Sequence, residues 1–163
     1  MGYPEPNKQF IFGLYWKFAH LREQYESREI TVFLEKALAS GVTDCPKNIT
    51  SIHVIDCIGK NEPVNNTAIA EKMELSKASI TKISTKLYED GFVKRTRLND
   101  NKKEIYFRLT SKGKKLYELH DKLHKLEEER FYRFLDKYSS TELDFVRQFM
   151  QDAVGEMEQK LTT

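Results

Sequence analysis

The chain holds little of what marks a secreted, membrane-embedded or repetitive protein. Only two cysteines, Cys45 and Cys57, occur in 163 residues, too few for a disulfide framework and suited to a reducing compartment. Prolines stand only at positions 4, 6, 46 and 63, so long helices are permitted over most of the chain. No apolar run approaches the roughly 20 residues that a bilayer core demands. The opening Met1-Gly-Tyr-Pro-Glu-Pro also lacks the basic-then-apolar layout of a secretory signal. Internal repeats and low-complexity tracts are absent. A chain of this length has room for one domain, or a compact unit with extensions, and can bury about 70% of its unfolded surface without a metal or disulfide. These features predict a cytoplasmic globular protein with no membrane partner.

What the chain does have is charge, unevenly distributed. Charged residues make up 32% of the sequence and the net charge is only +2. Between Asn65 and Lys115, however, 13 Lys/Arg face 6 Asp/Glu, a local net of +7 against −5 elsewhere. A split of this kind suits phosphate contact on one face.

Hydrophobic periodicity outlines the elements. From Asn7 to Ala39, Phe10, Leu14, Phe18, Leu21 and Tyr25 recur every three or four residues, as in an amphipathic helix. Gly41 to Lys47, with Asp44 and Pro46, reads as a loop. Asn48 is placed to cap a second helix carrying Ile49, Ile52, Val54, Ile55 and Ile58, with Gly59 as its stop. Asn65 would cap a short third helix, and Ser76 a fourth that ends at Gly91. The period then shifts to two. Phe92–Arg97 and Glu104–Leu109 read as a hairpin whose tip, Leu98 to Lys103, is polar and basic. Thr110 would cap a long fifth helix, and Ser139-Ser-Thr-Glu142 is a capping box for a sixth. The expected fold is mainly α with a small β-hairpin wing: a winged helix-turn-helix dimerised through its N- and C-terminal helices. The expected regions are 1–47 for dimerisation, 48–110 for DNA binding and 111–163 for dimerisation.

Four segments resemble the MarR family of bacterial regulators: Asn65-Asn-Thr-Ala-Ile-Ala-Glu-Lys-Met73, Leu75-Ser-Lys-Ala-Ser-Ile-Thr-Lys82, Leu87-Tyr-Glu-Asp-Gly-Phe-Val-Lys-Arg95 and Leu109-Thr-Ser-Lys-Gly-Lys-Lys115. The resemblance implies a homodimeric double-stranded DNA-binding transcriptional regulator, a repressor on a pseudo-palindromic operator. It implies that Lys77, Ala78, Ser79, Thr81 and Lys82 face the major groove. By charge and position, Lys77 and Lys86 would hold phosphates, and Lys102 and Lys103 of the wing would reach phosphate or the minor groove. One departure lies at the wing, where the family commonly has Asp followed by Arg. Here Asn101-Lys102-Lys103 stands instead, and lysine lacks arginine's planar fork.

His120 and His124 are four apart on a predicted helix, a spacing that suits a metal. With His53 they also resemble the zinc-responsive branch of the family, which implies Zn2+ held by His53, His120, His124 and a carboxylate. Counted from the shared landmarks that carboxylate is Glu35, with Asp44, Cys45 and Glu26 as substitutes. The acidic residues that feed a second site in that branch are here Ile52 and Leu119, so one site is expected. Two other readings stand beside zinc. The same histidines occur in the fatty-acid-synthesis regulators of the family, which implies an acyl-carrier protein or another apolar effector with no cofactor required. Alternatively the imidazoles hydrogen-bond between helices as structure.

An enzyme is not expected. His120-Asp-Lys-Leu-His124 has an Asp one methylene too short for the general base of a zinc protease, and neither a phosphate loop nor a nucleophile elbow occurs. Cys57, set among isoleucines, reads as core, and Cys45, in the predicted loop, as the better candidate for a reactive thiol. Phe10, Tyr15, Trp16 and Phe18, with Phe131, Phe134 and Tyr138, could line an effector pocket, but their helical spacing favours a dimer core. The remaining alternative is a protein-binding adaptor without specific DNA.

Overall fold

The computed structural model describes residues 5–98 and 101–162, with the side chains of 98, 101, 102 and 162 outside the description. Along the chain run α1 (Pro6–Ala39), α2 (Ile49–Asn61), β1 (Val64–Asn65), α3 (Asn66–Met73) and α4 (Lys77–Glu89). The strands β2 (Val93–Leu98) and β3 (Asn101–Leu109) follow, then α5 (Ser111–Leu135) and α6 (Ser140–Thr162). Met1–Asp121 and Lys122–Thr163 are two compact units, with the division falling inside the continuous helix α5.

Local chemistry starts α2, α3 and α4. The side chain of Asn48 accepts from the Ser51 N–H at 2.8 Å, and that of Asn65 from Ala68 N–H at 2.8 Å. Ser76 Oγ accepts from Ser79 N–H at 3.1 Å. Each satisfies one of the donors that a helix start leaves without an intrahelical partner. The ends of α1 and α4 share one device. Gly41 and Gly91 both sit at φ +77, and the next residues, Val42 and Phe92, donate back to Ala37 and Leu87. Between α3 and α4 the left-handed position falls to Glu74, φ 53.

The core lies under α2, α3, α4 and the sheet. Ile52, Val54, Ile55 and Ile58 of α2 are buried with Ile69, Ile80, Leu87, Phe92, Val93, Phe107, Leu109 and Leu116. α1 reaches it only through Phe33 and Ala37. The sheet is antiparallel in the order β1-β3-β2. Its first strand was not anticipated, because two residues, Val64 opposite Phe107 and Asn65 opposite Tyr106, are too few to set a period.

Two expectations are corrected. Gly59 does not stop α2, which runs on to Asn61. Its missing Cβ makes room for the Tyr117 ring, whose Cδ2 would lie 2.5 Å from an added methyl. The hairpin tip is also shorter than expected: Leu98 pairs with Asn101, so Asn101, Lys102 and Lys103 belong to β3 rather than to a loop.

The second unit is the C-terminal part of α5 together with α6. Ser139 and Glu142 form the expected capping box, with Ser139 N–H donating to Glu142 Oε2 at 2.8 Å and Glu142 N–H to Ser139 Oγ at 3.4 Å. Among the described residues of α6 none is buried.

A close junction of the first unit lies where α5 begins. The Thr110 hydroxyl donates to Gly91 O (2.7 Å) and Phe92 O (3.1 Å), and accepts from Gly113 N–H at 3.1 Å. A Cβ on Gly113 would lie 2.1 Å from Phe92 O. Gly113→Ala should therefore lower the unfolding free energy by about 1–3 kcal/mol, and Thr110→Val by about 1 kcal/mol, while Thr110→Ser stays near the parent. Urea titrations followed by circular dichroism read all three. A Gly113→Ala protein as stable as the parent contradicts the close approach.

Candidate functional site

α4 is built to present one face and bury the other. Ile80, Ser84 and Leu87 point into the core, while Lys77, Ala78, Ser79, Thr81, Lys82 and Lys86 are exposed. Ala78, Thr81, Lys82, Thr85, Lys86 and Glu89 line one open strip along the helix. Thr85, four residues after Thr81, joins this strip although the sequence reading passed over it.

The polar groups of this face are held from behind. Ser84 Oγ donates to Asn66 Oδ1 at 2.9 Å, and Asn66 Nδ2 donates to Thr81 Oγ1 at 3.3 Å. Thr81 Oγ1 in turn donates to Lys77 O at 2.8 Å, which leaves it an acceptor toward solvent. Lys86 is not a free cation, since its Nζ lies 2.8 Å from Asp90 Oδ1. A phosphate there competes with that carboxylate.

Beside α4, the wing adds exposed Lys94, Arg95, Arg97 and Lys103. Of the expected wing contacts, Lys103 is exposed, and the side chain of Lys102 lies outside the described residues. Lys94, Arg95 and Arg97 were not singled out from the sequence, although they lie on β2 within the basic stretch. The Arg95 guanidinium lies 4.3 Å from the centre of the Tyr88 ring, which braces β2 against α4 through a cation–π contact.

A second cluster forms where α2 meets α5. His53, His120 and His124 offer ligand nitrogens that all lie within 4.8 Å of one another. His120 and His124 are one turn apart on continuous α5, and the His53 and His120 ring centres are 5.3 Å apart. Zinc with Zn–N bonds of about 2.0–2.1 Å needs nitrogens about 3.4 Å apart. The donor set therefore fits a metal after modest side-chain rotation.

Glu35 is not in this group. It lies two residues from both Phe33 and Ala37, which mark the buried face of α1, and at about 100° per residue it falls on the opposite, exposed side. Among the described residues, Glu26, Asp44 and Cys45 do not join the group either.

The sequence reading also missed Asp56, which faces His120 with Oδ1 3.4 Å from Nδ1. Its other oxygen lies 2.7 Å from Lys60 Nζ. Burial opposes ionisation of this carboxyl, but His120 and Lys60 outweigh it and bring the pKa down to about 2.

The thiols are poor candidates for redox sensing. Burial raises the Cys45 thiol to about 11 and also raises buried Cys57. At pH 8 both should react slowly with a disulfide reagent in the native protein and fast in guanidinium. Rapid native labelling of Cys45 would contradict this environment.

Comparison with known proteins places this geometry in a family. The MarR family model matches residues 47–105. Over 155 residues the chain is 48% identical to the HTH-type transcriptional regulator PchR of Bacillus subtilis (strain 168), a match covering 95% of this chain and 92% of that protein. Two solved structures share the fold. One is Streptococcus pneumoniae FabT in complex with DNA, at 20% identity and TM-score 0.58 over 87% of this chain and 98% of that one. The other is Lactococcus lactis ZitR, a zinc-responsive MarR family member, at 22% identity and TM-score 0.63 over 84% and 99%. With nearly half its residues shared with PchR along almost its whole length, and its winged core matched by the family model, the chain belongs to the MarR family of transcriptional regulators.

Proposed function

We propose that this regulator is a homodimeric repressor that binds a pseudo-palindromic duplex and responds to zinc. The observation that carries the DNA reading is α4, anchored by Ile80, Ser84 and Leu87 while Lys77, Ala78, Ser79, Thr81, Lys82 and Lys86 stay exposed. Ser79, Thr81 and Lys82 read base edges, and Ala78 allows close approach to the groove floor. Lys77, Lys86, Lys102 and Lys103 hold phosphates. FabT, solved with DNA, shares this fold, which supports the assignment. Binding rather than catalysis is the whole activity, and it takes place in the cytoplasm with the chromosomal operator.

The dimer reading rests on apolar surface that a single chain leaves exposed. On α1, Phe10, Phe12, Trp16 and Phe18 are all exposed. On α6 the same holds for Phe145, Phe149, Val154 and Leu161. Surfaces this apolar are covered by a partner, and a second copy would pair the two recognition helices with two half-sites.

For zinc, His53, His120 and His124 would be the ligands. Bound there, the ion would supply a fixed link between α2 and α5. Glu35 enters as a fourth ligand only if α1 turns it inward, and unchanged affinity in Glu35→Ala assigns that position to water. The neighbour ZitR is described as zinc-responsive, which supports the choice of metal.

The test is anisotropy of labelled promoter DNA with chelator-stripped protein, titrated with zinc. DNA affinity should change as about one zinc per subunit binds, and the change should be lost in His120→Ala. Lys82→Ala combined with Lys102→Ala should weaken binding, and each lost phosphate contact should lower the salt slope by about 0.9. Unchanged affinity in that double variant overturns the DNA-facing assignment. DNA binding indifferent to zinc returns the histidines to a structural role and directs the search to acyl or other apolar effectors.

A further inference from the structure

We propose that Asp56 is the positioning residue of the histidine cluster, holding the His120 ring with its proton on Nδ1 so that Nε2 is presented to the metal. The inference rests on the zinc reading above and adds to it a residue that touches no metal.

Three observations converge on Asp56. First, its Oδ1 lies 3.4 Å from His120 Nδ1, with the two side chains only 15% and 8% exposed. That separation is slightly longer than a made hydrogen bond, in a place with little water to compete. Second, the carboxylate is itself held. Lys60, one turn along α2, lies 2.7 Å from Oδ2, so the free edge of Asp56 is Oδ1, turned to His120. Third, the ring has few other orientations open to it. Phe33 meets it edge-on at 6.1 Å and His53 at 5.3 Å between ring centres.

The two imidazole nitrogens lie on different edges of the ring. A ring whose Nδ1 edge faces a carboxylate therefore offers Nε2 on the other side. Asp56 follows His53 by three residues, so α2 supplies both a ligand and the group that orients the ligand from α5. A carboxylate this near His120 invites assignment as the fourth ligand. It stands outside the group of mutually close donors, however, and the His120 atom it faces is Nδ1. Such an acceptor behind a ligating histidine fixes its tautomer and raises its basicity, and its loss typically weakens metal binding by about 10–100-fold.

The experiment uses the full chain and zinc itself, in competition with a chromophoric chelator, for wild type, Asp56→Ala and Asp56→Asn. Wild type should take one zinc per subunit. Asp56→Ala should keep that stoichiometry with affinity about 10–100-fold lower, and Asp56→Asn, which retains an acceptor oxygen, should fall between. Long-range proton–nitrogen spectra of the histidines should show zinc-bound His120 protonated at Nδ1 and metallated at Nε2. A merely structural Asp56 would leave that tautomer in place in Asp56→Ala. Wild-type affinity in Asp56→Ala, or metallation of His120 through Nδ1, overturns the proposal while leaving the zinc reading intact. If wild type itself takes up no zinc, the zinc reading falls and this inference with it. Should Asp56→Ala fail to fold by circular dichroism, the near-isosteric Asp56→Asn carries the comparison.

Discussion

Everything functional in the first unit leans on the place where α4, β2 and α5 meet. Phe92 is fully buried, its N–H closes the end of α4 on Leu87 O, and its carbonyl accepts from Thr110 N–H at 3.0 Å. The Thr110 hydroxyl shares its proton between Gly91 O and Phe92 O while capping α5. Lys112 adds a contact to Asp90 O at 3.0 Å, and its ammonium lies over the Phe92 ring. The end of α4, the start of the wing and the start of the histidine-bearing helix α5 are thus one hydrogen-bonded knot. Such knots move as units, because close-packed interiors deform little.

That knot gives the histidine cluster a physical route to the exposed face of α4. α5 is braced near its start against Gly91 and Phe92, and about a turn further on Tyr117 fills the space left by Gly59 of α2. His120 follows, facing Asp56 and His53 of α2. α2 packs in turn against α3 and α4. An effector that changes how α2 and α5 meet would act on a helix whose other end is tied to α4. The shift it can produce is limited to its differential affinity for the two arrangements.

The surface of α4 and the wing illustrates a division of labour within short stretches of sequence. In α4 the residues at 80, 84 and 87 secure the helix, and those between them are left for contact. Asn66 serves both sides, accepting from Ser84 below and donating to Thr81 above. The wing is tied to the start of α3 as well, since Asn65 Nδ2 donates to Glu104 and Tyr106 donates to the same carboxylate at 2.9 Å. Both elements that would meet a duplex are therefore oriented by the few polar residues that open α3.

Much was legible in the residues themselves. The caps at Asn48, Asn65, Ser76, Thr110 and Ser139 were readable because capping is a matter of three or four adjacent residues, and so was the helix end at Gly91. The buried and exposed faces of α4 followed from the helical period, and the basic stretch around it from counting. What waited for the tertiary structure were relations between distant segments. Gly59 read as a stop because nothing local reveals the Tyr117 ring lying against it. β1 was silent because the strand it pairs with, β3, lies some forty residues on. Glu35 fitted by chain spacing, but the face of α1 that is buried is decided by Phe33 and Ala37 packing. Asp56 was an ordinary acidic residue until folding brought α5 over it and set His120 against its carboxylate. Local backbone chemistry can be read along a chain, whereas which side chains meet across helices is decided only when the whole core packs.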